Sequence, residues 1–401
     1  MEGSHARASH SAPQMSVTTR GKVARPRGRR RRFGHRYFGL AVSLAVVLAC
    51  STLSGCATGS GGDSSGGSGS TSGADATSAS GVKFYQGKTI TFIVPGAPGK
   101  GSANFATAIQ SAMAAQLHAT INIEYVTGAD VVGQDQVWHA QPDGLTIGAL
   151  TVISDINNSF TKNEALAFSL TDAAKTSVGA SYSSPGIFVS CNDPSIKNFA
   201  QLLSGKTQLK WVDVTTGGMN LSVHLLMTAY PVPHTYLNGY TSSTATVGCE
   251  RGDGNASGYP VGNFLDSSGT KLIPSLNGLL LTDSMPSSSP AVALNNSVPT
   301  LKAFAEQHPP KTSEAQKALS LLETYYSTQA PQFAVFGPPG IPQDRMDALS
   351  AALKAAMAEP QVQASLAKVG IPAGYVGPGG IQAYINTMVS SQDVAIKALA
   401  G

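Results

Sequence analysis

The segment from Lys88 to Leu117, KTITFIVPGAPGKGSANFATAIQSAMAAQL, constrains the fold more than any other part of the chain. Thr89 to Val94 is a short, nearly continuous apolar run rich in β-branched residues, the pattern of a strand buried on both faces of a parallel sheet. Pro95 ends it. Gly96, Pro98, Gly99 and Gly101 then form a loop in which the backbone can approach a ligand closely, because glycine accepts dihedrals that a Cβ forbids. Ser102 reads as an N-cap, and Phe105, Ile109 and Met113 recur at a four-residue spacing on one face of the helix that follows. A helix start facing a glycine loop offers unpaired N–H groups and the positive end of a dipole, which together make an anion site. The same strand, Gly-Pro turn and helix also serve as a plain connection in α/β folds, so the segment supports either reading. A nucleotide-binding P-loop is excluded, because two residues separate Gly96 from Gly99-Lys100 where that motif needs four, and Gly101 stands where its Ser or Thr belongs.

The first 55 residues carry ten Lys or Arg against one acid, and an apolar segment follows from about Tyr37 to Ala49. This is the pattern of a signal peptide, too short for a membrane span of about 20 residues. The segment ends in Leu53-Ser54-Gly55-Cys56. That tetrapeptide is similar to the lipobox of bacterial lipoproteins, which implies lipidation at Cys56 and a new N-terminus there. Residues 57–81 hold no large apolar side chain and read as a Gly/Ser tether, with an r.m.s. reach of about 25–30 Å. Residues 56–401 hold 17 basic against 22 acidic residues, a net charge of −5, with Arg251 and Arg345 as their two arginines. That balance excludes a nucleic-acid partner. Removal of Cys50 and lipidation of Cys56 leave Cys191 and Cys249, which in an exported chain either pair as a disulfide or remain as two buried thiols. No cysteine or histidine spacing suggests a metal site, and no cofactor motif occurs.

Residues 82–401 are enough for two domains. After the opening unit, Ile121 to Val126 alternates as a strand, Gly128-Ala129 begins a second loop, and a helix is expected around Gly133 to Ala140. Gln141-Pro142-Asp143-Gly144 is a turn and Leu145 to Leu150 the next strand. Strands alternating with helices indicate βαβ units. Further on, Leu209 to Val214 reads as a strand, and Thr215 to Asn220 repeats the glycine-loop logic before a helix carrying Leu221, Leu225 and Leu226. Ser222 and His224 do not make a catalytic pair, since residues two apart do not face each other on a helix and no nucleophile elbow occurs in the folded body. Arg251-Gly252-Asp253 reads as a helix terminus with Gly252 as the cap rather than an adhesion tripeptide. Phe333 to Phe336 reads as a strand returning to the first domain.

These units, with Gly239-Tyr240, Glu250-Arg251-Gly252-Asp253, Val298-Pro299-Thr300 and Phe336-Gly337-Pro338-Pro339-Gly340-Ile341-Pro342 in order, resemble the substrate-binding proteins of tripartite tricarboxylate transporters, the Bug family. The resemblance covers nearly all of residues 83–401. It implies an α/β, two-lobed periplasmic-binding-protein-like fold of type II, with a mostly parallel sheet in each lobe and a hinge of two crossing strands. The expected organisation is a signal peptide at 1–55, a lipidated cysteine and tether at 56–81, a discontinuous first lobe at 82–185 plus 331–401, and a second lobe at 186–330.

The implied function is that of an extracytoplasmic, lipid-anchored, monomeric receptor, not an enzyme. It would close on a small organic acid and present it to two integral membrane transporter subunits. A signalling or adhesion lipoprotein on the same fold is the alternative. The ligand-binding residues expected are Ala97, Pro98, Gly99, Lys100, Gly101 and Ser102, then Gly128 and Ala129, with Thr151 and Ser154 after the third strand. Thr216, Gly217, Gly218, Asn220 and Ser222 are expected from the other lobe. Family loops often run Pro-Gly-Gly-Gly with an aspartate two residues on, whereas Lys100 replaces a glycine here and Ala103 stands at the acid's place. Asp130 and Val131 occupy positions where glycines are usual. The ligand class therefore stays open between di- or tricarboxylates, amino-dicarboxylates and aromatic acids.

Overall fold

Eleven strands form two sheets among the residues described by the computed structural model, which are 80–400 apart from 100, 128–129, 163–165, 167 and 215–219. The expected signal peptide, the tether and Cys56 lie outside the described residues. The first sheet contains β1 (Thr89–Pro95), β2 (Thr120–Val126), β3 (Thr146–Thr151), β4 (Ser177–Tyr182), β10 (Pro331–Phe336) and β11 (Tyr375–Val376), in the order β11-β4-β10-β3-β1-β2. The second contains β5 (Gly186–Cys191), β6 (Leu209–Val214), β7 (His234–Tyr240), β8 (Ala256–Pro260) and β9 (Leu276–Leu281), in the order β7-β6-β8-β5-β9.

β1 lies between β2 and β3, and this central place accounts for its apolar run, since Ile90, Phe92 and Val94 have no solvent exposure. The helix Gly101–Leu117 lays Phe105, Ile109, Met113 and Leu117 into the same core. Each such side chain contributes roughly 1.5–3 kcal/mol by leaving water. The helix Gln343–Ala358 packs against it through Ala348, Leu349, Ala352, Leu353, Ala356 and Met357.

Most strands of each sheet share one direction, as expected, four of six in the first and four of five in the second, with antiparallel pairings where the remaining strands enter. β1, β2 and β3 run parallel, as do β6, β7 and β8. Every antiparallel pairing involves β5, β10 or β11. The reason is the route of the chain. β4 ends at the side of the first sheet where β1 and β3 also end, and β5 sets off from there into the second sheet. The chain returns to the same side, so β10 must enter against the direction of β3 and β4.

Two connections join the sheets. Ser183 to Pro185 carries β4 into β5, whereas the return runs from the helix Ser313–Tyr325 through residues 326–330 into β10. The expected hinge of two crossing strands is thus one strand-to-strand and one helix-to-strand crossing. The Ser183 N–H donates to the Ala330 carbonyl at 2.7 Å, which ties the two together. The Thr282 hydroxyl accepts from the Gly186 N–H at 2.8 Å and donates to the Tyr326 carbonyl at 3.2 Å. Asp283 accepts from the Thr328 N–H at 3.0 Å and its hydroxyl at 2.9 Å. A core cluster runs across both sheets, from Leu150 and Ile156 to Phe188, Trp211 and Leu225. The last helix, Gln392–Ala400, packs on Leu221–Ala229 and Ser313–Tyr325, helices that follow β6 and precede β10.

Candidate functional site

The strand directions assemble the site. Register pairs Phe333 with Thr151 and Pro331 with Tyr182, so the ends of β3 and β4 and the start of β10 share one edge with Pro95 at the end of β1. In the second sheet Gly186 pairs with Pro260 and Ile187 with Leu281, which puts the start of β5 beside the ends of β8 and β9. Ligands of open α/β sheets sit in the crevice beyond the carboxyl ends of the strands. A cavity of about 2140 Å³ occupies that place here, lined from the first sheet by Pro95, Gly96, Ala97, Thr151 and Ser154 and from the second by Thr241, Tyr259, Pro260 and Asp283.

Of the expected binding residues, Ala97, Gly101, Ser102, Thr151 and Ser154 line this cavity. Ser102 is the second residue of its helix rather than the N-cap, and its hydroxyl donates to the Pro95 carbonyl at 3.2 Å. That bond fastens the loop to the end of β1. Pro98 and Gly99 lie at the exposed turn of the loop, outside the cavity wall, with Gly99 at φ +85°. The Asn104 side chain donates to the Gly99 carbonyl at 3.2 Å, from a residue that does reach the wall. Lys100, Gly128, Ala129, Thr216, Gly217 and Gly218 lie outside the described residues.

Asn220 and Ser222 are turned inward. Asn220 donates to the Gly258 carbonyl, and the Ser222 hydroxyl donates to Asn220 Oδ1 at 2.6 Å, both within the second lobe and away from the cavity wall. A short polar side chain after a glycine loop can brace the neighbouring strand as readily as it can face a ligand. His224 is likewise interior. Its ring stacks on Tyr236 at 4.0 Å, and Nε2 lies 3.6 Å from Asp213 Oδ2. Burial and the Asp213 charge push the Tyr236 phenol well above its ordinary range.

The helix Val152–Phe160 supplies the most direct anion-binding geometry. Thr151 is its N-cap but makes no side-chain capping bond, and Thr151, Ile153 and Ser154 of the first turn line the cavity. Asp155 stands in the same turn, buried, and accepts from the Gln134 side chain at 3.1 Å. A buried carboxylate there offsets part of the positive helix end from inside, so a bound anion relies mainly on direct N–H and hydroxyl donors.

Charge on the described wall is sparse, with Lys368, Asp266 and Asp283. The Ser268 hydroxyl and N–H donate to Asp266, and these bonds, the hydroxyl's first, hold its carboxyl below the usual range. Both arginines of the folded body are engaged elsewhere. Arg345 donates to the Asp143 carbonyl at 2.7 Å and lies 3.6 Å over the Phe84 ring. Arg251 Nε donates to Asp253 Oδ1 at 2.9 Å beyond the end of the helix Ser242–Arg251, where Gly252 adopts φ +82°.

Sequence reasoning missed Tyr182, Tyr326, Asn158 and Gln332 on the wall. Tyr182, Tyr326 and Gln332 flank the two crossings, and the adjacent Tyr325-Tyr326 pair before a polar segment was the available signal. Cys191 and Cys249 are bonded to each other, with Cα atoms 5.1 Å apart, and anchor the helix Ser242–Arg251 to the end of β5.

The chain is similar to several solved bacterial binding proteins. A TctC solute-binding protein from Polaromonas superposes with a TM-score of 0.58 at 14% identity, covering 79% of this chain and 99% of that one. A protein from Rhodopseudomonas palustris with adipate gives 0.57 at 16% identity, covering 78% and 97%. MatC from the same organism, with bound malate, gives 0.54 at 19% identity, covering 77% and 99%. At these identities the likeness establishes the two-lobed binding-protein fold. A scan of protein-family models and a search of curated protein sequences find no match.

Proposed function

We propose that this protein is an extracytoplasmic solute receptor. It binds a small organic carboxylate between its lobes and delivers it to the two membrane subunits of a tripartite tricarboxylate-type transporter. The observation that carries the reading is the convergence of strand ends from both sheets on one cleft, with the side-chain-uncapped helix start at Thr151 facing it. The malate and adipate held by structurally similar proteins support a carboxylate as ligand. The leader and Leu53-Ser54-Gly55-Cys56 support export and a lipid anchor at Cys56, which leaves the receptor tethered beside its membrane partners.

In this reading a carboxylate is held by the N–H groups and hydroxyls at Ala97, Gly101, Ser102 and Thr151 to Ser154, and by groups of the second lobe such as Thr241. Lys100, Gly128, Ala129 and the 216–218 loop belong to the same proposed set. A ligand touching both lobes favours the closed form by its differential affinity for closed over open. No bond is made or broken, so the protein acts as a receptor and not an enzyme.

A thermal-unfolding panel of di- and tricarboxylates, amino-dicarboxylates and aromatic acids tests this. A true ligand at 100 times its dissociation constant adds about 2.7 kcal/mol, and the double variant Thr151→Val, Ser154→Ala should lose most of that gain while keeping the free protein's midpoint. A panel in which no acid raises the midpoint overturns the carboxylate reading.

A further inference from the structure

We infer that the acid this cleft selects carries one carboxylate on a planar aromatic body, and that it is preferred over aliphatic di- and tricarboxylates. The inference rests on the receptor reading and names its substrate class. Four aromatic residues line the cavity around the two crossings: Tyr182, Tyr259, Tyr326 and Phe333. Three of them are backed by glycines that leave no room for a side chain. A Cβ on Gly101 would sit 2.5 Å from the Phe333 ring, and one on Gly186 would sit 3.0 Å from the Tyr326 ring. A Cβ on Gly374 would fall on the ring of Tyr182 itself. Phe333 also stacks on Phe105 at 5.9 Å, and Tyr326 meets Tyr325 edge-on at 4.8 Å. Tyr182, Tyr326 and Phe333 are therefore held in place before any ligand arrives. Tyr182 and Tyr259 keep partial exposure, while Tyr326 and Phe333 are part of the wall but almost fully buried, so Tyr182 and Tyr259 offer the larger surfaces for a ligand ring.

Charge points the same way. A second carboxylate on a ligand calls for a second strong donor, and bidentate arginine is the side chain best suited to that task. Arg251 is committed to Asp253, and Arg345 to the Asp143 carbonyl and the Phe84 ring. Lys368 is the sole cation among the described wall residues, against Asp266 and Asp283. Among the described wall residues a dianion would meet two carboxylates and one ammonium group, whereas a monoanion can place its charge at the Thr151 helix start and its ring against the tyrosines.

The test is calorimetric titration of the whole chain with benzoate and 4-hydroxybenzoate against malate, adipate and citrate. Benzoate-type acids should bind at least about tenfold more tightly than any of the three aliphatic acids. Tyr182→Leu and Tyr259→Leu should each weaken the aromatic acid by roughly two- to tenfold, the range of one aromatic contact, and leave malate and adipate unchanged. Should a leucine variant fail to fold, nuclear Overhauser transfer between tyrosine rings and benzoate protons in the unaltered chain gives the same answer. Binding of malate, adipate or citrate with no preference for the aromatic acids overturns this inference and leaves the receptor reading intact. Aromatic affinity that both leucine variants retain, or absence of the Overhauser transfer, also overturns it. If none of the five acids binds, the receptor reading falls and takes this inference with it.

Discussion

Replacing Cys191 and Cys249 together with alanine removes a cross-link between residues 58 apart in the chain. The bond sits at the end of β5 and inside the helix Ser242–Arg251, and the intervening loop contains β6, β7 and the helix Leu221–Ala229. In the chain-entropy account, freeing a loop of this length lowers stability by about 4 kcal/mol, chiefly because the unfolded chain gains conformations. The folded state should change little. The Cα separation of 5.1 Å is ordinary for a disulfide, and Asn192 still donates to the Cys249 carbonyl at 3.3 Å. Both sulfurs are buried beside Val261 and Phe264, so lost packing adds to the entropic term. The assay is urea unfolding of the oxidised protein and the double variant, followed by circular dichroism. The variant should unfold at lower urea with unchanged native spectra, and Trp211, in β6 within the freed loop, offers a local fluorescence probe. Equal unfolding free energies for the two proteins would refute the reasoning, since a cross-link of this span cannot leave a flexible denatured chain unaffected.

Asp283→Ala should loosen the return crossing, because Asp283 accepts from the N–H and hydroxyl of Thr328 and from the Ser284 N–H at 2.7 Å. The expected cost is roughly 1–3 kcal/mol for donors left unmatched, with faster amide exchange in residues 326–330 and unchanged exchange in β1. Alkali should destabilise the same region. Burial raises the phenols of Tyr325, Tyr326 and Tyr384 above the ordinary value of 10.0. A neutral phenol favoured by folding gives stability that is complete below the unfolded pKa and is lost as pH rises beyond it. Unfolding free energy should therefore be insensitive to these groups at neutral pH and fall above about pH 10, with phenolate absorbance from these residues appearing only on unfolding.

The legible parts of this protein are those whose causes are local. β1 and its helix could be read because a strand covered on both faces must be apolar throughout, and because Pro95 and the glycines after it mark where the strand stops and the chain turns into a helix. Strand direction has no such local cause. PQFAVF at β10 would read identically in either orientation, and only the return of the chain to the cleft edge makes it antiparallel to β3 and β4. The site divides in the same way. Ala97, Ser102, Thr151 and Ser154 reach the cavity because they lie at the end of a strand whose end defines it, or in the loop or helix start that comes next. Asn220 follows a strand and a glycine loop too, yet its amide is spent on the Gly258 carbonyl of β8, a partner 38 residues away that no local pattern reveals. The aromatic wall is the extreme case. Tyr182 and Tyr326 lie far apart in sequence and meet one cavity only because Ser183 and Ala330 bind the two crossings together. Where a site is made by the way two passages of chain are joined, its residues become identifiable once the joint is known, and the joint is a property of the whole fold.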